Sequence, residues 1–188
     1  MRINDYWQLK SGKVRATLHD ISVDDSDISN KQYMTESKII VTDFDLVKRE
    51  YMKAHHISED NAKSVDALFQ VSFTSSGDSD VCLLEFKNGE IDSRDIERKA
   101  RDSVLIFQSI TGTQLEDTRN HVHFVLVYNA NKHPMNYREE KAMALANQGK
   151  TDFCRFGLSH LRGFCFKNVV AYNQKEFEKR IVPRICGF

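Results

Sequence analysis

The sequence predicts an α/β domain in which a mixed sheet is flanked by helices. Three observations carry that expectation. Apolar residues repeat at helical spacing in some stretches and crowd into short β-branched and aromatic runs in others. These stretches follow one another as helix, hairpin, helix, strand and then further α/β elements, an order that suits a sheet with helices packed on it. Only two prolines occur, Pro134 and Pro183, and no Gly/Ser-rich linker, repeat or low-complexity tract divides the 188 residues. A single domain over 1–188 is therefore the economical reading.

The first helix is expected over 43–55. Thr42 or Asp43 can accept from the free N–H groups of its first turn, and Phe44, Val47, Tyr51 and Ala54 supply a buried stripe. Two β-like runs follow, 65–73 and 81–86. The turn formers Ser75-Ser-Gly-Asp-Ser-Asp80 lie between them and predict a hairpin, and Asn88-Gly89 ends its second strand. Ser93 is a cap for a helix running to about residue 110, with Ile96, Ala100, Val104 and Phe107 on one apolar face. Residues 122–128 (VHFVLVY) form a third strand rich in β-branched and aromatic side chains. Beyond it, 137–148 reads as a helix, 153–158 as a short strand or loop, 166–172 as a strand and 174–182 as a closing helix. Residues 1–40 read as an N-terminal extension, within which the acidic, turn-prone stretch 20–30 is a loop; residues 131–188 are α/β additions.

Composition sets outer limits. With 40% hydrophobic and 29% charged residues the chain belongs among globular proteins. No apolar run approaches the roughly 20 residues that span a bilayer, and Met1-Arg-Ile-Asn-Asp-Tyr-Trp lacks a signal peptide's apolar stretch. The expected location is the cytoplasm, with no membrane partner. Lys plus Arg equals Asp plus Glu at 27 each. That balance argues against a simple nucleic-acid coat protein, yet a local basic surface beside an acidic metal site is compatible with it. The four cysteines, Cys82, Cys154, Cys165 and Cys186, contain no CxxC pair and read as reduced, non-catalytic thiols.

The chemistry-bearing residues lie on the expected hairpin. In Cys82-Leu-Leu-Glu-Phe-Lys87, strand alternation puts Glu85 and Lys87 on one face and Cys82, Leu84 and Phe86 on the other. With the turn centred near Ser76 or Gly77, position 66 lies opposite 87 and position 68 opposite 85. Asp66 then stands diagonal to Glu85, on a polar face with Gln70 and Ser72, while Ala67, Phe69, Val71 and Phe73 form an oily one. Two carboxylates converging from adjacent strands suit Mg²⁺ or Mn²⁺, hard cations that leave the rest of their shell to water and phosphate. The blander alternative is that Asp66 caps a strand edge and Glu85 with Lys87 forms a solvated ion pair worth under about 1 kcal/mol.

Asp66, then Glu85-Phe86-Lys87 on the next strand, then a helix and a strand, resembles the PD-(D/E)XK nuclease superfamily, over about residues 43–130. The resemblance implies a restriction-endonuclease-like core. It also implies a divalent-metal-dependent nuclease that hydrolyses phosphodiester bonds, of DNA ahead of RNA. Asp66 and Glu85 would bind Mg²⁺ or Mn²⁺, Lys87 would assist the attacking water, and Glu50 of the first helix would complete the metal site. Asp66 follows Val65 where the family has proline, and residues 57–64 are too polar to supply the strand the family places before the aspartate. The rival class is a non-catalytic, nuclease-like binding module for a protein or nucleic acid, in a phage, mobile-element or defence context. An oligomer or a protein partner is compatible with either.

Other residues carry weaker signals. Arg94, Arg98 and Arg101, with Lys99 nearby, form a basic stripe on the helix after the motif that can contact phosphates, diluted by Glu97 and Asp102. His121 and His123 sit at i and i+2 of a strand, a spacing that can hold zinc but lacks a third ligand. His55-His56 reads as a helix terminus, and Tyr6 and Trp7 as packing residues.

Overall fold

The computed structural model describes residues 5–24, 31–73 and 79–186. In chain order the elements are α1 (Trp7–Lys10), β1 (Arg15–Thr17), α2 (Leu18–Ile21), β2 (Val23–Asp24), β3 (Gln32–Tyr33), β4 (Ile40–Asp43), α3 (Phe44–Ala54), β5 (Ala67–Val71), β6 (Asp80–Lys87), α4 (Ser93–Thr111), α5 (Leu115–His121), β7 (Val122–Tyr128), α6 (Tyr137–Asn147), β8 (Asn168–Asn173), α7 (Gln174–Arg180) and β9 (Ile185–Cys186). Seven strands make one mixed sheet in the order β1, β4, β5, β6, β7, β8, and β9 shares with β4 the edge of β5 turned away from β6. Pairing is antiparallel from β1 through β6 and parallel from β6 through β8. This is the mixed α/β architecture that the order of elements predicts. No helix among the described residues is long and apolar enough to cross a membrane.

Helix boundaries follow local chemistry. Asp43 caps α3, its Oδ1 accepting from the Leu46 N–H at 3.0 Å. Asp92, one residue before the expected Ser93, caps α4 by accepting from the Arg94 N–H at 2.9 Å. That helix stops at Gly112, whose φ of 68° is the left-handed conformation a helix end favours, and whose N–H donates to the Gln108 carbonyl at 2.8 Å.

The hairpin forms, with a corrected register. Ala67 pairs with Leu84, Phe69 with Cys82 and Val71 with Asp80. Just before β5 begins, the Asp66 N–H donates to the Leu84 carbonyl at 3.0 Å, which sets Asp66 beside Leu84 and Glu85 rather than opposite residue 87. The shift from the expected pairing is two residues, an even number, so each side chain keeps its face. The turn formers 75–78 lie outside the described residues, as do 25–30 of the expected N-terminal loop.

A second correction concerns the faces. The face expected to be polar carries Leu68, Val81 and Leu83 in a core that also holds Phe44 and Val47 of α3 and Ile96, Ala100, Val104 and Phe107 of α4. The opposite face carries Ala67, Phe69, Cys82, Leu84 and Phe86, together with Phe177 and Ile181. Helices on both sides of central strands bury both faces, so strict polar alternation cannot hold. Between the first helix and Asp66 residues 59–61 form a short 3-10 turn, and β4, antiparallel to β5, precedes that helix. Residues of the N-terminal stretch enter both cores, Leu9 and Val14 in one, Leu18 and Met34 in the other.

Residues 155–161 make 3-10 turns interrupted by Phe156 and Gly157 at φ of 63° and 71°, which rules out the strand half of the expectation for 153–158. The buried Arg155 organises this region. Its guanidinium bonds both oxygens of Glu139 at 3.1 and 3.2 Å and the carbonyls of His133 and Pro134 at 2.8 and 2.9 Å, and it lies over the Tyr128 and Phe156 rings. Arg155→Ala is expected to cost about 2 kcal/mol, from lost packing on the two rings and two carbonyls stripped of their donor, while Glu139, its side chain 28% exposed, is left to water. Urea denaturation at neutral pH reads this, and a loss below about 1 kcal/mol would refute it.

Candidate metal site at the hairpin

Residues 63–66 are held between α3 and α4 before β5 begins. The Lys63 N–H donates to Asp102 at 2.8 Å, the Ser64 hydroxyl donates to Asp45, and the Val65 N–H donates to the Ser103 hydroxyl at 2.9 Å. The Asp66 backbone donates to the Leu84 carbonyl at 3.0 Å and accepts from the Phe44 N–H at 2.9 Å. Its carboxylate Oδ2 accepts from the Phe86 N–H at 2.6 Å, fixing the side chain against β6.

Glu85 is fully buried. Its Oε1 accepts from Lys99 Nζ of α4 at 2.7 Å and lies 3.5 Å from Lys87 Nζ. Its Oε2 is buried and has no hydrogen-bond partner. Lys99 Nζ is also 3.9 Å from Asp66 Oδ1, and Lys87 Nζ is 3.9 Å from Asp95, which Lys63 holds from the other side. Carboxylates and ammoniums thus alternate, Asp66, Glu85 and Asp95 with Lys99, Lys87 and Lys63. The solvated ion pair of the bland alternative is not what forms, because α4 seals Glu85 from water. Asp66 and Lys87, with side chains 18% and 24% exposed, line a hollow of about 280 Å³. Asp24 and Met34 from the N-terminal stretch form part of its wall, Asp24 accepting from the Asn88 amide at 2.6 Å.

Burial, and then the charge of Glu85 across the strand pair, hold the Asp66 carboxyl well above the usual carboxylate range, against the opposing pull of Lys99 and the Phe86 N–H. Burial raises Glu85 as well, opposed by Lys99 and Lys87. For Lys99, burial works against the charge, but Glu85 and Asp66 outweigh it and keep the ammonium above its ordinary value. These shifts give a stability prediction. Folded Asp66 keeps a proton that the unfolded chain has already released, so metal-free stability contributed by this group falls as pH rises above the ordinary carboxylate range. Asp66→Asn removes that slope. In chelator, its melting temperature is expected to gain on wild type as pH goes from about 4 to about 8; parallel curves would contradict the shift.

The other expected site residues are placed differently. Glu50 is exposed on α3 and lines a separate hollow with Gln8, Tyr51 and Ser109. The structure does not bring it to the carboxylate pair. The acid of α3 whose charge reaches Asp66 and Glu85 is Asp45, in the first turn. Five residues further on, a helical side chain is about 7.5 Å along the axis and turned by about 140°. Arg94, Arg98 and Arg101 are exposed on α4. Asp102 lies 3.5 Å from Arg98, and Glu97 lies 2.7 Å from Arg101, which also covers the Phe164 ring. The α4 cation that reaches the carboxylates is Lys99. In the sequence it stands beside the arginine stripe, and its place three residues after Ile96 and four before Ser103 sets it on the flank of the buried face.

His121 and His123 fall on different elements, the end of α5 and β7, and both reach Asp80, at 3.3 and 3.0 Å, with Lys167 Nζ at 2.8 Å. Burial raises the Asp80 carboxyl, but His123 and Lys167 outweigh it and hold it below its ordinary value. All four cysteines are free. Burial pushes Cys154 up to about 12 and Cys165 up to about 11, so both stay protonated.

Among the described residues no three His, Cys, Asp or Glu side chains are arranged to hold a metal ion. Asp66 and Glu85 nevertheless suit Mg²⁺ or Mn²⁺. They offer hard oxygen donors, and Glu85 Oε2 is a buried anionic oxygen without a partner, while one or two carboxylates commonly suffice for such ions. Among known proteins, no family model matches the chain, and neither a curated protein nor a solved structure matches it significantly.

Proposed function

We propose that this chain is a divalent-metal-dependent nuclease that hydrolyses phosphodiester bonds, of DNA ahead of RNA, in the manner of the PD-(D/E)XK enzymes its motif resembles, and that it acts in the cytoplasm. The observation that carries the reading is the unpartnered, buried Glu85 Oε2 beside Asp66, in a network where the neighbouring polar groups are satisfied. Buried polar atoms are nearly always paired, and an exception points to an absent ion or water. Asp66 and Glu85 would hold Mg²⁺ or Mn²⁺. The ion, when bound, polarises the phosphate and lowers the pKa of a water. Lys87, partly exposed in the hollow and restrained by Asp95, orients that water or stabilises the charge developing on the phosphoryl oxygens. Arg98 and Arg101 would contact phosphate only by exchanging Asp102 and Glu97 for it, and Arg94 extends the same stripe.

One observation favours the rival reading. Lys99 supplies Glu85 with an internal counterion, so the pair is neutralised without a metal, as a non-catalytic binding module of the same fold would need. The two readings part in a calorimetric titration of Mn²⁺ into wild type and an Asp66→Ala/Glu85→Ala variant, repeated with a DNA oligonucleotide present. Uptake by wild type alone, followed by cleavage of the oligonucleotide, is the expected result. No uptake in either titration, with DNA still bound, would move the assignment to the binding module.

A further inference from the structure

We propose that Lys99 is a built-in cation of this site, which occupies one side of the Asp66–Glu85 pair and limits its uptake of divalent metal. The proposal rests on the reading of that pair as a metal site. The lysine comes from α4, ten residues or more beyond the motif on β6, and only its ammonium reaches both carboxylates: 2.7 Å to Glu85 Oε1 and 3.9 Å to Asp66 Oδ1. Lys87 stands further off, 3.5 Å from the same Glu85 oxygen, and is drawn also to Asp95. The two oxygens of Glu85 are therefore unequal. Oε1 is committed to lysines, and Oε2 faces no donor. Lys99 cannot leave easily, because its side chain is only 20% exposed and its helix is seated by Ile96, Ala100 and Val104 in the core.

A fixed positive charge this close to both ligands opposes a dication through the same field that neutralises the carboxylates. It also holds Glu85 in place before any ion arrives, so the site is pre-formed and its affinity moderate. A neighbouring charge commonly moves the proton affinity of a group by one to three powers of ten, and the effect on a doubly charged ion has the same sign. Lys99 is in this account a positioning and tuning residue, since it acts through Glu85 and Asp66.

The test is Mn²⁺ titration of wild type, Lys99→Met and Lys99→Gln, with the Asp66→Ala/Glu85→Ala chain as blank, beside melting curves with and without Mn²⁺. Lys99→Gln retains a donor for Glu85, so it reports if burial of an unpaired carboxylate unfolds the Met variant. Tighter uptake by at least about tenfold, and a larger Mn²⁺-dependent rise in melting temperature than wild type shows, are expected. This holds also where wild type itself takes up too little Mn²⁺ to measure. Equal uptake in wild type and folded variants would overturn the proposal while leaving the metal site standing, with Lys99 reduced to a clamp between α4 and the hairpin. Weaker uptake in the variants would overturn it too. Absence of uptake in every chain, with the DNA oligonucleotide present as well as without it, would remove both the proposal and the reading beneath it.

Discussion

Asp66→Asn is expected to remove metal-dependent cleavage, lowering turnover by well over 100-fold, while the chain stays folded and melts no lower than wild type at neutral pH in chelator. The magnitude follows from its place in the site. Outer partners of metal ligands cost 10- to 100-fold when lost, and a direct ligand contributes more. Stability is spared because the amide oxygen of asparagine can still accept from the Phe86 N–H, which the carboxylate does at 2.6 Å, while the repulsion from Glu85 is gone. Cleavage of a labelled oligonucleotide at saturating Mn²⁺, beside a thermal melt, reads both halves. Activity within tenfold of wild type would sink the assignment of Asp66. Lys87→Met provides the complement: slower turnover with Mn²⁺ uptake kept, because Lys87 faces the hollow and its nitrogen is not a metal donor.

Phe107→Ala is expected to be the more damaging change for stability, at about 3–5 kcal/mol, the range for removing a fully buried aromatic ring. Phe107 has no exposed surface and belongs to the core that joins α4 to Leu68, Leu83 and Phe124 of the sheet. For a chain of this length, each kcal/mol shifts the melting temperature by about 2–4 °C, so a fall of about 10 °C is anticipated. The same helix carries Lys99, so a looser α4 should also weaken the Glu85–Lys99 contact. A fall of less than about 3 °C would mean that the helix is held elsewhere.

Sequence and structure agree where periodicity is long and miss where it is short. The 19 residues of α4 and the seven of β7 repeat their pattern often enough to be read directly. By contrast β1, β4 and β9 contain two to four residues each, too few for any period, and exist because a neighbouring edge offers hydrogen bonds. Helix α5 is not legible in the sequence because Leu115–His121 is polar almost throughout, and Thr118 is its one buried residue. The site shows the same division. Asp66, Glu85 and Lys87 share a face through alternation along two strands, which sequence determines without help. Lys99 enters by the packing of a helix across the sheet, and Glu50 stays away because helical rotation carries it off.

By itself, then, the sequence determined the mixed α/β class, the hairpin with its parity, and the three motif residues on one face of it, since these depend on periods of 2 and 3.6 and on turn chemistry. Tertiary structure alone decided that Glu85 lies wholly buried beneath α4, that Lys99 rather than the arginine stripe meets the carboxylates, and that Asp24 and Met34 wall the hollow. Those outcomes rest on contacts between residues far apart in the chain, whose geometry is set by close packing of two helical layers on the sheet, and no local pattern encodes it.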